Sequence, residues 1–158
     1  MIDFGQDDKG RGVQHPPFSH GWLLALGVPV IGYQTDRLPA FFCRSSEYDI
    51  DFRLDKPEEI ALFMKSKWDM KLQGGLVVAN PIPEEFAMPE SVIQQEIDFA
   101  LQEAKDAGIK GKETTPFLLQ KITELTEGNS LKANIELVLN NARLGSAIAI
   151  ELSALSSV

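Results

Sequence analysis

The sequence has little cysteine, fewer basic than acidic residues, and no long apolar run. Cys43 is the only cysteine among 158 residues, which excludes an intrachain disulfide and a cysteine-based zinc site. Fifteen Lys and Arg against 23 Asp and Glu give a formal net charge of −8, and this disfavours binding along a phosphate backbone. No stretch reaches the ~18 apolar residues of a membrane span. These absences predict a soluble protein that binds neither nucleic acid nor membrane.

The amino-terminal segment shows no targeting pattern. MIDFGQDDKGRG has neither the basic and apolar regions of a signal peptide nor the Arg-rich bias of a transit peptide. A cytoplasmic location is the expectation, with mitochondrial and peroxisomal locations left open. Gly, Pro, Asp and both histidines fill the stretch from Gln6 to Trp22 without apolar periodicity. We therefore predict that residues 1–22 are loop or disordered and that residues 23–158 form the domain.

Short β-branched runs predict the strands. Val28–Tyr33 is typical of a buried strand, and Leu38–Phe42 is a candidate for a second extended piece. Asp49–Leu54 alternates polar and apolar residues, as a half-buried strand does. Leu76–Ala79 is an uninterrupted apolar run, which favours a parallel strand covered on both faces.

Four segments have helical signals. Pro57–Leu72 is amphipathic, with Glu58 and Glu59 in its first turn, and a second helix opens at Pro89 or Glu90 and ends at Gly108. The other two predicted helices begin with Thr115 as N-cap before Pro116, and with Ser130 as the cap of a helix running to about Leu152. The last helix has an apolar side formed by Ile135, Val138, Leu139, Ala142 and Ala149. The order predicts an α/β fold, a partial α/β/α layered domain with a mainly parallel sheet and a helical C-terminal region.

Three segments are candidates for a ligand site. Asn80–Glu85 follows the apolar strand, where ligands bind in open α/β sheets, although a rigid connection explains the two prolines equally well. Lys110–Thr115 precedes a helix N-terminus that suits an anion, although a simple capped helix has the same pattern. Asn134, Asn140 and Asn141 lie in the last helix, where asparagine is unfavourable, and they face either a pocket or solvent.

The histidines, the cysteine and the paired glutamates are not predicted to form a reactive site. His15 and His20 are too few for a metal site. Cys43 follows two phenylalanines and is expected to be a small buried residue rather than a nucleophile. The Glu84–Glu85 pair is expected to be solvated.

From Gly27 onward the chain is similar to pseudouridine-5′-phosphate glycosidases, and it resembles their C-terminal half. The motifs that carry the resemblance are GVPVIGYQT, LPAFFCRSS, GGLVVANPIPEEFAMP, GKETTPFLL and SLKANIELVLNNA. Members of that family reversibly cleave the carbon–carbon glycosidic bond of pseudouridine 5′-phosphate in nucleotide catabolism, giving uracil and ribose 5-phosphate. The resemblance implies a Schiff base on a lysine, an acidic residue that moves protons, manganese as the metal, and a homotrimer.

The resemblance also assigns residues. The family's lysine immediately precedes a run that Met1–Gly5 resembles, and its other catalytic and metal-binding residues lie further upstream, so we expect no catalytic residue and no metal ligand in this chain. Residues 6–22 do not match the helical segment expected there. Asn134 matches a family position that contacts substrate, and Asn80 is a second, weaker candidate. Two hypotheses follow: an incomplete pseudouridine-5′-phosphate glycosidase without its lysine, or a non-catalytic fragment that acts as a binding or oligomerisation module.

Overall fold

The structure is a computed structural model that describes residues 27–156. The irregular segment predicted for residues 1–22 lies outside this range. The described strands are β1 (Val30–Tyr33), β2 (Phe52–Leu54) and β3 (Val77–Ala79). The described α-helices are α1 (Pro57–Asp69), α2 (Glu90–Asp106), α3 (Thr114–Leu125) and α4 (Asn129–Ser156), with short 3-10 turns at Glu84–Phe86 and Gly111–Glu113.

The three strands form one parallel sheet in the order β2-β1-β3. Ile31 of β1 is level with Phe52 on one side and Val78 on the other. The chain passes from β1 to β2 through residues 34–51, which form no helix or strand, and from β2 to β3 through α1. Both connections are long enough for parallel pairing. The α/β class and the parallel sheet predicted from the sequence are confirmed.

One face of the sheet packs against α1 and α4. Ile31 and Ile60 are fully buried there, and Leu144 and Ile148 of α4 close over them. Leu76 and Val78 are partly buried against this cluster, whereas Val77, which points to the opposite face, is 39% exposed. The prediction that Leu76–Ala79 is buried on both faces is therefore wrong for the described residues, because they cover only one side of β3.

A second core joins α2, α3 and the start of α4 to the loops beside the sheet. Its buried members are Phe42, Cys43, Ile82, Ile93, Ala100, Ala104, Leu118, Ile122 and Ala133. The expectation that Cys43 is a small buried residue is confirmed, since it is 7% exposed.

Helix α1 is shorter than predicted. Its start is as expected from the acidic first turn: Glu59 Oε2 accepts from the backbone N–H groups of Asp55 and Lys56 at 3.0 and 3.1 Å. The helix ends at Asp69 rather than Leu72, because Lys71 takes a left-handed conformation with φ of 59°.

The predicted caps of the last two helices are wrong. Helix α3 begins at Thr114 with Glu113 as N-cap, which places Pro116 in the first turn, where its missing N–H has no cost. Ser130 lies inside α4 and is buried. Thr126 acts in its place: its hydroxyl accepts from the Ser130 N–H at 3.1 Å across the tight turn between α3 and α4. Helix α4 runs on past Leu152 to Ser156.

Two more expectations are corrected. Leu38–Phe42 is a tight turn rather than a strand: Ala40 and Cys43 exchange two backbone hydrogen bonds, and Phe41 between them has φ of 40°. The predicted apolar side of α4 is exposed, since α4 packs on the sheet through its other side; the exposed residues are Ile135, Val138, Leu139, Ala142 and Ala149.

Candidate functional site

The carboxyl edge of the sheet is the place where ligands bind in open α/β folds. Gly32 of β1 is level with Ala79 of β3. The two chain segments that leave these strands, at Gln34 and at Asn80, therefore emerge side by side. An α/β protein with polar side chains at this edge has the general form of a ligand-binding domain.

Asn80, one of the two predicted substrate-binding residues, is half-buried at this edge. Its side-chain amide donates to Asn141 Oδ1 at 3.0 Å. The next residue of α4, Asn140, donates to the carbonyl of Pro81 at 3.0 Å. Asn140 and Asn141 thus fix the loop after β3 to the helix. The alternative that these amides simply face solvent is wrong.

The same loop is held from its other side. Arg44 Nη1 donates to the carbonyl of Ile82 at 2.6 Å, and Ile82 itself is 1% exposed. Further along, the ammonium of Lys132 lies 5.4 Å from the ring centroid of Phe86. These contacts hold the loop in one conformation, so that it forms a fixed platform. A fixed platform is needed to position a ligand precisely.

Asn134, the other predicted substrate-binding residue, lies seven residues before Asn141 on α4. Because seven residues make about two helical turns, the two amides point to the same side of the helix. Asn134 is half-buried, and its side chain has no hydrogen bond among residues 27–156. Its donor and acceptor remain available. The substrate-binding roles of Asn134 and Asn80 stay predictions.

The segments after β1 and β2 are tied to each other. Gln34, with a left-handed φ of 56°, donates its backbone N–H to the carbonyl of Leu54 in β2 and its side-chain amide to the Asp55 carbonyl. Arg53 pairs with Asp55 at 2.8 Å and with Asp36 at 2.6 Å. The hydrogen bonds that the Arg53 guanidinium donates to these carboxylates, to Asp55 foremost, raise its pKa. Its charge is therefore already balanced within the chain.

Among residues 27–156, the cysteine is not activated and no group of side chains could hold a metal ion. Burial, and then the charge of Glu90, raise the pKa of the Cys43 thiol, so it is a poor thiolate. Residues 27–156 contain no group of three or more His, Cys, Asp or Glu side chains that could hold a metal ion. Glu84 and Glu85 are exposed, as expected.

Two surface cavities lie away from this edge. One, of about 500 Å³, lies between α2 and α3 beside Glu103 and Lys121. The other, of about 340 Å³, lies between the ends of α1 and α4 beside Trp68 and Leu152. Neither is lined by Asn80 or Asn134. Within the described part of the chain, the candidate site is an open platform rather than a closed pocket.

Comparison with known proteins identifies the family. The family model described as indigoidine synthase A like protein matches residues 20–151, and the chain belongs to that family. Two relatives named pseudouridine-5′-phosphate glycosidase, from Petrotoga mobilis and Escherichia coli, are each 58% identical over 135 residues. The match covers 85% of this chain but 44% and 43% of those relatives. The chain thus spans less than half the length of the curated relatives it matches.

Two solved structures share the fold. The prealnumycin C-glycosynthase, crystallised with ribulose 5-phosphate, superposes with a TM-score of 0.80 and 29% identity, covering 92% of this chain and 48% of that one. An indigoidine synthase A-like protein from Thermotoga maritima gives a TM-score of 0.77 and 34% identity, covering 89% and 46%. In both, this fold makes up about half of a longer chain.

One residue of the site, Arg44, was missed at the sequence level, and the partners of Asn140 and Asn141 were not predicted. Arg44, Asn140 and Asn141 act as clamps on the loop after β3. The asparagines gave a signal, because amides inside a helix are unfavourable without a polar contact. Arg44 gave none, since its partner is a backbone carbonyl 38 residues away.

Proposed function

We propose that this chain forms the C-terminal half of a pseudouridine-5′-phosphate glycosidase, which reversibly cleaves the carbon–carbon glycosidic bond to give uracil and ribose 5-phosphate. The observation that carries the proposal is 58% identity, over 85% of this chain, to relatives of that name. The neighbouring fold of a C-glycosynthase crystallised with ribulose 5-phosphate supports the same class of bond and substrate.

The chain itself provides a wall of the site and not the reacting groups. A Schiff base requires a free lysine amine, and the buried lysine of the described chain is engaged: Lys67 Nζ donates to the carbonyls of Leu72, Gln73 and Gly74. Lys110 and Lys112 are exposed around the 3-10 turn before α3. The family resemblance puts the catalytic lysine just before the run that Met1–Gly5 resembles, so we propose that this lysine belongs to the portion of the enzyme outside this chain.

The metal belongs outside the described residues as well. Manganese prefers oxygen-rich ligand sets, and residues 27–156 bring together no such group of acidic or histidine side chains. The described residues do not fit the metal that the family resemblance implies, so the proposal gives them no metal-dependent step.

The proposed contribution of this half is recognition of the base. The Asn134 amide carries one donor group and one acceptor, which is what the imide edge of uracil requires. Asn80 is held in place by Asn141 and contributes a second, fixed polar group. We propose further that the complete enzyme is a cytoplasmic homotrimer, in keeping with the family resemblance and with bacterial relatives. No helix of the described chain is long and apolar enough to cross a membrane.

The test restores the missing half. Fusing this chain to the upstream portion of the E. coli relative gives what we call the restored protein. In it, Asn134→Ala should lower kcat/KM for pseudouridine 5′-phosphate by roughly ten- to a hundredfold, the equivalent of ~1 to 3 kcal/mol for one polar contact. Asn129→Ala is the matched control, because Asn129 is an exposed asparagine in the first turn of the same helix.

The outcomes distinguish a substrate-contacting role of Asn134 from a structural one. Unchanged turnover in Asn134→Ala, or an equal loss in Asn129→Ala, would show that Asn134 does not contact substrate. A restored protein that releases no uracil even with manganese would overturn the glycosidase proposal itself. Such a result would favour the alternative, a non-catalytic binding or oligomerisation module, which the exposed apolar side of α4 also supports.

A further inference from the structure

Helix α4 carries two apolar rows rather than one. The buried row packs on the sheet and on α3, and consists of Ala133, Leu137, Leu144 and Ile148. A second row is open to solvent in this chain, with Ile135 at 51% and Val138 at 59% exposure. This exposed row consists of Leu131, Ile135, Val138, Ala142 and Ala149.

The two rows lie on different sides of the helix. At ~100° per residue, the exposed row is centred roughly 140° around the axis from the buried row. Three of the four charged residues of α4, Lys132, Glu136 and Arg143, occupy a narrow sector away from both rows, and Glu151 lies near the C-terminal end in line with the buried row. A helix that is apolar over so much of its circumference is typical of one buried inside a larger domain.

Gly145 is a second, independent sign of a missing neighbour. A glycine inside a helix costs ~1 kcal/mol relative to alanine, yet a Cβ built there meets nothing within 4 Å. Nothing in the described chain therefore requires a glycine at this position. A polypeptide that packs closely against this side of α4 would require it.

The family's other half is the occupant that the comparisons favour. In both solved relatives this fold occupies less than half of a longer chain, at 48% and 46%. A segment joined to α4 in one polypeptide meets the exposed row at a millimolar effective concentration. A second copy of this chain does not reach that concentration in ordinary solutions, so the joined segment is the favoured occupant.

The two asparagines lie between the rows. On the same helical count, Asn134 and Asn141 are about midway between the buried and the exposed row. We infer that the exposed row of α4 is the surface on which the other half of a family enzyme packs, and that Asn134 lies at the seam between the two halves. The ligand site is then closed only when both halves are present, and Asn134 lines neither of the two surface cavities described above.

The inference rests on the proposed function, since it takes this chain as one half of a family enzyme, but its test reads association rather than turnover. The full chain, carrying an affinity tag, is co-expressed with the untagged upstream portion of the E. coli relative. We expect the two to co-purify in equal amounts. Ile135→Asp should abolish co-purification because it places a charge in the apolar contact, whereas Phe99→Asp, at a residue of α2 that is 52% exposed, should not.

A second measurement does not depend on a disruptive substitution. Because the natural Cys43 is buried, the added thiol of a Val138→Cys variant is the group that reacts readily with a maleimide. When ~90% of the chain is bound, alkylation of this thiol in the co-purified pair should be about tenfold slower than alkylation of the Phe99→Cys thiol in the matching pair. The two positions are similarly exposed in this chain, at 59% for Val138 and 52% for Phe99.

Three results would overturn the inference. The first is failure of the two halves to co-purify; the second is equal loss of association in Ile135→Asp and Phe99→Asp. The third is a chain that forms stable dimers by itself, with the thiol of Val138→Cys protected without any partner, since a second copy would then be the occupant. Two halves that co-purify as expected, together with a restored protein that lacks glycosidase activity, would leave the packing surface in place and refute the proposed function alone.

Discussion

Lys67 provides the sharpest test of how the sheet is held together. It is 4% exposed, and its ammonium donates to the carbonyls of Leu72, Gln73 and Gly74 at 3.1, 2.7 and 3.0 Å. These carbonyls belong to the turn that takes the chain from the end of α1 into β3. Lys67 therefore fixes the entry to the strand that ends at Asn80.

The expected cost of Lys67→Met follows from these contacts. Hydrogen bonds to a charged group contribute ~1.5 to 3 kcal/mol each, and the three are not additive because water replaces part of the loss at exposed carbonyls. Methionine keeps the apolar stem of lysine, so the loss of packing is small. We expect a decrease of ~2 to 4 kcal/mol in the free energy of unfolding, against a typical total of ~5 to 15 kcal/mol.

Urea unfolding of the restored protein, followed by circular dichroism, measures this decrease. Lys65→Met is the matched control, since Lys65 lies on the same helix but forms an exposed ion pair with Asp69 at 2.6 Å. Such a pair contributes ~0.3 to 0.5 kcal/mol. Equal effects of the two substitutions, or a loss below ~1 kcal/mol in Lys67→Met, would refute the idea that the three carbonyl contacts stabilise the turn.

Three further predictions concern stability and the thiol. Gly32→Ala should lower the free energy of unfolding by ~1 to 3 kcal/mol or more, because an added Cβ would lie 2.2 Å from the Thr35 carbonyl oxygen. Gly75→Ala, where an added Cβ meets nothing within 4 Å, should be neutral or stabilising in the same urea assay. The raised pKa of Cys43 means that the folded state holds the thiol proton more tightly than the unfolded state does. The free energy of unfolding should therefore fall as pH rises above the ordinary thiol pKa of about 8.5. Cys43→Ala should flatten that pH dependence, and an unchanged slope would contradict the prediction. The isolated chain should aggregate or lack a sharp melting transition, because each uncovered apolar side chain loses ~1.5 to 3 kcal/mol of burial free energy. A monodisperse monomer by light scattering that melts sharply by calorimetry would contradict this.

The sequence predicted the elements whose patterns are local. The strand at Val30–Tyr33 and the helix starting at Pro57 follow from β-branched runs and from an acidic first turn, and both are present. It failed where a distant contact decides the structure. Ser130 was predicted as a cap because of its residue type, but the hydroxyl of Thr126 takes that role across a turn that the pattern does not reveal.

The face of α4 shows the same limit more clearly. The apolar pattern marked Ile135 and Val138 as the apolar side of the helix, yet the described chain buries Leu144 and Ile148 instead. Periodicity reports that a helix has an apolar side and not which neighbour covers it. A helix with two such sides satisfies the pattern twice, and only the packing distinguishes the row that this chain buries.

The charges near the site indicate how the two halves divide the substrate. A substrate with a 5′-phosphate needs a cation or free N–H groups at its anionic end. Arg44 donates to the Ile82 carbonyl, and Arg53 is balanced by Asp36 and Asp55. Lys132 is a further cation beside this loop, where its ammonium lies over the ring of Phe86, whereas the Asn134 amide is neutral. A neutral donor and acceptor suit a nucleobase rather than a phosphate, so the proposed function leads us to expect the base against Asn134 of α4 and the bond-breaking chemistry against the other half.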